Sequence, residues 1–312
     1  MRTRAALMLA IGVLLSGPLY AADAWMTVQA ANEVVRIDTA SSRIVAHIEV
    51  AHGPVGVAVG PDNVYVTHPE SGQLTVIDSG SGAVADVWSI GGEPFGVALA
   101  ETSGRVYVTD WAGDRVDVYK AANGDRIARV AVGAAPAGVA VTPDGAYVLT
   151  ANRESDSVSI IDAAANRVLA TVDVGTAPFA LLTGPQGKRA YVANVRSDDI
   201  SVIDIAEGAT VGHISTGLFP YGLALTDAAR TLLVSEQRAG VLARFDVATG
   251  KRLGEIEVGG QPDGVAVDPQ TGRAVVANWF DDTVSVVDLA DTNEQVVLDV
   301  GSGPRGFGRF IH

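Results

Sequence analysis

A proline recurs along this chain at a nearly constant interval of 42 residues, preceded by one interval of 40 residues. The series consists of Pro54, Pro94, Pro136, Pro178, Pro220, Pro262 and Pro304. Most copies sit in the phrase Gly-x-x-Pro-x-Gly-apolar-Ala-apolar, as in residues 133–141, although Ala180 replaces the second glycine once and Gly308 replaces the alanine in the last copy. Self-similarity at this period indicates a repeat architecture rather than an irregular globular domain.

Each repeat contains four short runs of apolar and β-branched residues. In the unit at 175–215 the runs cover about 179–183, 190–194, 200–204 and 210–215, which we name strands a, b, c and d. Turn-forming residues separate the runs, for example Pro143-Asp144-Gly145 between strands a and b. Four antiparallel strands per repeat predict an all-β fold, a β-propeller built from four-stranded blades.

The two ends of the chain complement each other. Six full units run from 51 to 300, residues 25–50 supply strands b, c and d without strand a, and residues 303–311 supply a lone strand a. The sequence therefore predicts a seventh blade in which the C-terminal strand a joins the N-terminal strands, so that 22–312 form one closed domain without exposed ring ends. A closed ring is complete by itself, and we expect a monomer.

Residues 1–21 have the composition of a secretory signal. Arg2 and Arg4 precede an apolar stretch, and small residues allow cleavage after 21 or as late as 24. The alternative, a membrane anchor, needs about 20 apolar residues, and this stretch is shorter. The sequence thus predicts a periplasmic or secreted protein with no membrane span in the mature chain.

Composition excludes several classes of site. The net charge of −14 disfavours nucleic acid as a partner. Because the chain has no cysteine, it forms no disulfide, no thiolate metal site and no covalent c-type haem attachment. No Ser-His-Asp arrangement, nucleophile elbow, phosphate loop or metal-ligand spacing is evident. We therefore predict no catalytic residues, no cofactor and no bound metal, and the sequence favours a role other than an enzyme.

The strand phrases carry a family resemblance. Strand b reads Val-Tyr-Val-Thr at 64–67 and 106–109 and Tyr-Val-Ala-Asn at 191–194, and strand c reads Val-Ser-Ile-Ile-Asp at 158–162. These phrases resemble the YVTN family of seven-bladed propellers over the whole mature chain. The family includes archaeal surface-layer proteins, bacterial periplasmic proteins and relatives of the propeller subunit of quinohaemoprotein amine dehydrogenase. The resemblance implies binding or scaffolding more than catalysis, and fold alone does not decide between them.

Two positions in each repeat are expected to face one shared opening, because strand a lines the channel of a propeller and the d–a and b–c loops meet at one end of it. The first position follows the repeat proline, and its residues form what we call the mouth set: Val55, Phe95, Ala137, Phe179, Tyr221, Asp263 and Arg305. The second position ends strand b, and its residues form the strand b set: His68, Asp110, Asn152, Asn194, Glu236, Asn278 and Gln29. The variation of the mouth set among otherwise similar repeats indicates either a ligand or partner site or unselected exposed positions.

The b–c turns add aromatic and basic residues of the kinds that anchor interfaces. They are Trp111, Arg153, Arg196, Arg238, Trp279 and Phe280. Asp263 and Arg305 lie in neighbouring blades and are expected either to form an ion pair that ties the ring closed or to leave Arg305 free for an anion. The aspartates that end strand c are interpreted as turn-formers rather than as a carboxylate site, and so are those in the b–c turns, where aspartate and glycine interchange.

These observations predict an exported binding or scaffold protein. Its unidentified protein partner or small molecule would dock at the channel mouth on Phe95, Phe179, Tyr221, Asp263 and Arg305, with Trp111 and Trp279 at the rim. One alternative is a lactonase-like or hydrolase-like propeller enzyme whose divalent metal would need Glu236, Asp110, Asn152 and Asn194 to converge. A second alternative is an accessory propeller subunit of a periplasmic quinoprotein dehydrogenase.

Overall fold

A computed structural model describes residues 22–226 and 228–312, and the predicted signal at 1–21 lies outside them. Seven four-stranded antiparallel blades form a closed ring, which confirms the predicted seven-bladed β-propeller. Within the described ranges two short 3-10 helices occur, Glu101–Ser103 and Arg153–Ser155. No helix in this part of the chain is long and apolar enough to cross a membrane.

The strands follow one another in the same order in every blade, from the channel to the perimeter. Blade 1 consists of β4 (Gly56–Val59), β5 (Asn63–His68), β6 (Gln73–Asp78) and β7 (Val84–Ser89). Blade 2 consists of β8 (Pro94–Ala100), β9 (Arg105–Asp110), β10 (Arg115–Lys120) and β11 (Arg126–Ala131). Blade 3 consists of β12 (Pro136–Val141), β13 (Tyr147–Asn152), β14 (Ser157–Asp162) and β15 (Arg167–Asp173). Blade 4 consists of β16 (Pro178–Thr183), β17 (Arg189–Asn194), β18 (Asp199–Asp204) and β19 (Ala209–Ser215). Blade 5 consists of β20 (Pro220–Thr226), β21 (Thr231–Glu236), β22 (Val241–Asp246) and β23 (Arg252–Glu257). Blade 6 consists of β24 (Pro262–Val267), β25 (Arg273–Asn278), β26 (Thr283–Asp288) and β27 (Gln295–Asp299). Blade 7 combines both ends of the chain: β28 (Pro304–Arg305), β1 (Asp23–Val28), β2 (Glu33–Asp38), β3 (Arg43–Glu49), with β29 (Phe307–Arg309) beside blade 1.

The ring closes through the C-terminal segment as predicted, with one difference. β28 pairs antiparallel with β1 and supplies strand a of blade 7 for two residues only. The chain then crosses over, and β29 pairs in parallel with β4 of blade 1. The crossing begins at Gly306, where a Cβ atom would lie 2.7 Å from the ring of Phe310. The closing segment therefore bonds to two blades instead of one.

Buried apolar side chains form layers between neighbouring blades. Between blades 3 and 4, for example, Leu149 and Ile160 pack in one cluster with Val192 and Ile203. These residues alternate along strands b and c with residues of the opposite face, which is the period of two expected for strands buried on both sides. The core is thus distributed around the ring, and each blade is stabilised by its two neighbours.

A hydroxyl near the end of strand b ties each of several blades to the next one. Thr109 Oγ1 donates to Ala137 O of the following blade at 2.9 Å and accepts from Gly96 N of its own blade at 2.7 Å. The same contact to the following blade is made by Thr27 to Val55 O, Thr67 to Phe95 O and Ser235 to Asp263 O. All four carbonyls belong to the mouth set, so the threonine of the Val-Tyr-Val-Thr phrase positions the channel strand of the next blade.

Replacing Thr109 by valine is expected to lower the free energy of unfolding by about 1–3 kcal/mol. The change keeps the shape of the side chain but leaves the buried groups Gly96 N and Ala137 O without this partner. The shift in the urea or guanidinium midpoint measures the loss. Thr171, an exposed threonine of the outer strand β15, replaced by valine serves as the control, and equal shifts for both variants would show that the contact between blades is unimportant.

Close approach of neighbouring channel strands explains the second glycine of the repeat. At Gly138 a Cβ atom would lie 2.5 Å from Phe179 O in blade 4, and at Gly222 it would lie 2.4 Å from Asp263 O in blade 6. Since no side chain fits in this space, glycine lets the strands converge on the axis. The convergence brings the mouth set together.

Candidate functional site

The mouth set meets at one end of the channel, as the repeat predicted for the face formed by the d–a and b–c loops, which we call the loop face. Val55, Ala137 and Phe179 are buried in one apolar cluster, and Phe95 and Tyr221 pack against it half-buried. The side chains contact one another across the axis instead of lining an open well. The residues expected to receive a ligand thus close this end of the channel.

Four aromatic rings form this closure, and we name Phe95, Phe179, Tyr221 and Phe307 the aromatic plug. The Phe179 ring centroid lies 4.3 Å from that of Tyr221, 4.8 Å from that of Phe307 and 5.7 Å from that of Phe95. The Phe95 and Phe307 centroids are 5.1 Å apart in an edge-on arrangement. Tilted and edge-on pairs at these distances are favourable beyond their burial of area, so the plug is a packed structure held by four blades.

Phe307 is not among the residues that the repeat pattern predicted for this site. In the repeat phrase, Phe307 corresponds to an apolar residue that packs between blades, as Val139 does. The crossover after β28 rotates the segment, and the ring of Phe307 enters the channel instead. One signal was available in the sequence, because this copy alone has a glycine, Gly308, at the alanine position. In the structure Gly308 adopts a φ of 117°.

A polar network lies beside the plug, in blades 5, 6 and 7. Arg305 Nη1 is 3.4 Å from Asp263 Oδ2, and Arg305 Nε donates to Gln29 Oε1 at 3.0 Å. The Tyr221 hydroxyl also interacts with Arg305, and this interaction raises the pKa of the guanidinium group. Asp263 is only 2% exposed, and its Oδ1 atom has no hydrogen-bond partner among the described residues. The predicted ion pair therefore exists, and it joins blade 6 to the blade that closes the ring.

Burial shifts the pKa values of this network. Desolvation raises the pKa of Asp263 despite the opposing charge of Arg305. Desolvation, with the charge of Asp263, also raises the pKa of the Tyr221 hydroxyl. Desolvation by itself would lower the pKa of Arg305, but the attractions of Asp263 and Tyr221 together outweigh it, so that the pKa is raised. The network therefore stabilises the protonated form of Arg305, whereas the ionised form of Asp263 lowers the stability of the folded state.

The strand b set is not brought together. His68, Asp110, Asn152, Asn194, Glu236 and Asn278 are all buried inside their own blades, and Gln29 alone reaches the mouth set. Asn194 Nδ2 donates to Asp199 Oδ1 and Ser201 Oγ, both at 2.9 Å. Asn152 and Asn278 make the equivalent contacts to hydroxyls of strand c. These amides fix the b–c turn, and the structure does not place them at a shared opening.

The three remaining members of the strand b set also have partners within their own blades. Asp110 forms an ion pair with Arg115, and Glu236 accepts from both Nη atoms of Arg252 at 2.7 and 3.0 Å. His68 Nε2 lies 2.8 Å from Thr75 Oγ1, and burial lowers the pKa of the imidazole to about 4. His68 is therefore neutral at physiological pH, and both carboxylates are neutralised locally.

The turn aspartates have the structural role inferred from the sequence. In the b–c turns, Asp114, Asp156, Asp198 and Asp282 have positive φ, as do Gly72 and Gly240 at the equivalent place. Asp156 Oδ1 accepts from Ala177 N of the next d–a loop at 2.8 Å. At the end of strand c, hydrogen bonds from the hydroxyl and amide of Ser81 lower the pKa of Asp78. These aspartates fix backbone conformation.

Around the plug, the loop face exposes apolar and basic side chains. Trp111 covers Phe95 with centroids 4.9 Å apart, and the Arg153 guanidinium stacks on Trp111 at 5.8 Å. In blades 5 and 6 three large apolar side chains remain open to solvent, which we name the apolar rim: Leu218 at 52% exposure, Trp279 at 37% and Phe280 at 68%. Two arginines accompany it, Arg238, which stacks on Phe219, and Arg196, which is exposed.

Behind the plug the channel continues as a cavity of about 1010 Å³. Tyr221, Asp263 and Phe307 form its closed end, and it extends to the a–b turns near Gln186 and Pro269. Aliphatic residues of strand a form most of the wall, including Val59, Leu99, Val141, Leu182, Leu225 and Val267. This volume is sufficient for a small molecule.

The residues proposed for a divalent metal do not fit one. Glu236, Asp110, Asn152 and Asn194 lie in four different blades, and each is already bonded within its own blade. Among the described residues no group of three or more acidic, histidine or cysteine side chains could hold a metal ion. A site with converging oxygen ligands is thus not built from this set.

Comparisons with known proteins agree on the fold. The family model described as "Lactonase, 7-bladed beta-propeller" matches residues 98–210. Hydrazine synthase from Kuenenia stuttgartiensis is similar over 91% of this chain and 99% of its own, with 17% identity and a TM-score of 0.78. A functionally unknown protein from Desulfotomaculum acetoxidans is similar over 92% and 99%, with 14% identity and a TM-score of 0.80. No curated protein sequence matches this chain. At these identities the solved structures show the fold alone.

Proposed function

We propose that this chain is an exported binding or scaffold protein that receives a protein partner on its loop face. The observation that carries the proposal is the apolar rim, because Leu218, Trp279 and Phe280 remain exposed next to a fully packed plug. Exposed tryptophan, with arginine nearby, is typical of residues that anchor interfaces. The plug supports this function by giving the loops a rigid base, so that little ordering is required when a partner binds.

Charge supports an acidic or neutral contact region on the partner. The chain carries a net charge of −14, yet Arg153, Arg196 and Arg238 lie in the b–c turns of three consecutive blades. No described residue forms an ion pair with Arg196 or Arg238, and both are exposed. Unpaired arginines beside an apolar rim are available to bind carboxylates of a partner.

Replacing Trp279 and Phe280 together by alanine is expected to weaken the partner's binding at least about tenfold, since interface anchors each contribute more than about 1 kcal/mol. Proteins retained from an extract of the export compartment by the wild type would be identified by mass spectrometry. The affinity of the retained protein is then measured by calorimetry. Val45→Ala with Leu169→Ala, which shortens two exposed apolar side chains on outer strands, is the matched control.

The proposal requires that the rim variant lose affinity and the control variant retain it. Equal affinities for both variants would place the contact elsewhere on the ring. Equal losses would indicate a general effect on solubility or folding. If no protein is retained and a small molecule stabilises the folded chain instead, the result would favour a small-molecule site in the channel over a protein partner on the loop face.

The second candidate is a small-molecule enzyme of the lactonase or hydrolase type. The match of residues 98–210 to the Lactonase family model favours it, and the cavity of about 1010 Å³ would be the place for a substrate. The carboxylates and amides considered for a metal do not converge, so any such chemistry would use other residues. Opening of simple lactones by the purified protein, at a rate above that of a heat-unfolded sample, would favour this candidate over binding alone.

Membership of the YVTN family and a role as accessory subunit of a quinoprotein system remain hypotheses, and no described contact favours either.

A further inference from the structure

The outer edge of the ring is protected in six blades and unprotected in one. In blades 1 to 5 and 7, strand d carries one extra residue relative to strand c, at the same place in each ladder. The bulged residues are Val45, Ala85, Ile127, Leu169, Val211 and Leu253. Such bulges twist an edge strand and prevent another strand from pairing with it.

In blade 6 strand β27 has no bulge. It pairs residue by residue with β26, from Val287↔Gln295 to Thr283↔Asp299. Its sequence Gln-Val-Val-Leu-Asp contains no cationic side chain, whereas Arg43, Arg126, Arg167 and Arg252 begin or nearly begin the outer strands of four other blades. Val296 and Val297 are 44% and 57% exposed. An edge strand without a bulge, with exposed valines and no lysine or arginine, is the kind of strand that pairs with another chain.

The ladder determines which backbone groups are free on this edge. Asp288 N donates to Glu294 O, and Val300 N donates to Asp282 O. Hydrogen-bonded and non-bonded pairs alternate in an antiparallel ladder, so even-numbered residues of β27 bond to β26. The N–H and C=O groups of Gln295, Val297 and Asp299 therefore point outward.

We infer that β27 pairs with β27 of a second copy of this chain in an antiparallel, two-fold symmetric contact centred on Val297. In that register Val297 faces Val297 and Gln295 faces Asp299, which gives three facing pairs with two hydrogen bonds each, about six in all. On the other side of the sheet, Val296 lies opposite Leu298. The two blades then form one continuous eight-stranded sheet.

The side chains of this register complement each other. One N–H of the Gln295 amide donates to Ser285 Oγ at 2.7 Å, which leaves the second N–H for Asp299 of the other copy. Asp299 Oδ1 accepts only a long contact of 3.3 Å from Gly301 N. A shift by two residues would lose one of these pairs and the contact of Val297 with itself. Self-complementarity in a single register is the reason for choosing a second copy over an unrelated strand.

The contact lies on the perimeter and leaves the loop face free. It thus goes beyond the proposed function: a dimer would present two loop faces, and a partner with two contact regions would bind both with increased avidity. It also replaces the monomer expected from the closed ring, because closure removes the ends of the repeat array but not the outer edge of each blade.

The test measures mass and association with the protein expressed from the full-length gene. Sedimentation equilibrium at an ionic strength of about 0.15 M, where surface charges are largely screened beyond about 8 Å, is expected to show a mass twice that of one chain with a concentration-dependent dissociation. Val297→Lys is expected to raise the dissociation constant at least about tenfold. Val45→Lys, which adds the same charge at a similarly exposed valine of a bulged strand, is expected to leave it unchanged.

Cross-linking tests the register. Since the chain has no cysteine, Val297→Cys introduces a single thiol, which a short bis-maleimide should join to its copy in solution, whereas Val45→Cys should not be joined. A single-chain mass at every concentration overturns the proposal. So does a dimer that survives Val297→Lys, and a dimer lost equally with Val45→Lys. A dimer that survives Val297→Lys but is lost with Trp279→Ala and Phe280→Ala would assign self-association to the loop face.

Discussion

Replacing Phe310 by alanine is expected to lower the free energy of unfolding by about 3–5 kcal/mol, the range for truncating a fully buried phenylalanine. The ring is 0% exposed and packs in the largest cluster with Trp25 and Met26 of the N-terminal strand. The backbone of the same residue accepts a hydrogen bond from Trp25 N at 2.9 Å. Phe310 therefore joins the C-terminal segment to β1, and its loss weakens the ring at this junction.

The chain provides a matched control for this experiment. Phe280→Ala makes the same chemical change at a ring that is 68% exposed, and it should alter the free energy of unfolding by no more than about 0.5 kcal/mol. Guanidinium unfolding monitored by tryptophan fluorescence measures both variants. Similar shifts would mean that the C-terminal segment contributes little to closure.

Deletion from Arg305 onward also removes Phe307 and Ile311, both buried, and is expected to lower the melting temperature of the whole ring in one transition.

The fold could be predicted because the same recurring residues fix the local backbone conformation and make the contacts between blades. Gly138 permits the approach of Phe179 O, Thr109 bonds the next channel strand, and Asp156 shapes a turn while accepting from the next loop. Each of these residues recurs with the period of the blade. Their spacing therefore contained the architecture, including the complementary pieces at the two ends.

The candidate site was less predictable, for two physical reasons. Whether seven side chains at the mouth leave an opening depends on how closely the strands converge, and four rings suffice to fill this channel. The orientation of the strand b set depends on partners in the next strand. A pattern for these partners was present: Asn194 has Asp199 and Ser201 five and seven residues later, and Asn278 has Thr283 and Ser285 at the same distances. Polar partners that recur at fixed distances indicate a buried hydrogen-bonded position rather than a ligand.

Replacing Arg305 by alanine is expected to lower the free energy of unfolding by about 3–5 kcal/mol at neutral pH. Among the described residues Arg305 is the only cation in contact with Asp263, so the change leaves a carboxylate buried without its ion-pair partner. Arg196→Ala is the matched control, because Arg196 is exposed and should cost no more than about 0.5 kcal/mol. Chemical unfolding of both variants measures the difference.

The dependence of this loss on pH follows from the carboxyl group. Burial raises the pKa of Asp263, so the folded state holds its proton more strongly than the unfolded state does. The stability that Asp263 contributes is fully present below the ordinary range of aspartate and is lost as pH rises through the raised pKa. Without Arg305 the pKa rises further. The loss caused by Arg305→Ala should therefore shrink as pH falls towards the ordinary range of aspartate, since a neutral carboxyl group needs no cation.

A second substitution separates a structural ion pair from an anion-binding arginine. Asp263→Asn added to Arg305→Ala removes the buried charge and should recover most of the lost stability, with a pH dependence flatter than that of the single variant. If Arg305 instead serves mainly to bind an anion, Arg305→Ala should cost no more than Arg196→Ala, and phosphate should stabilise the wild type alone. The geometry favours the ion pair, because Arg305 is engaged by Asp263, Tyr221 and Gln29 from three blades and holds the closing strand in place.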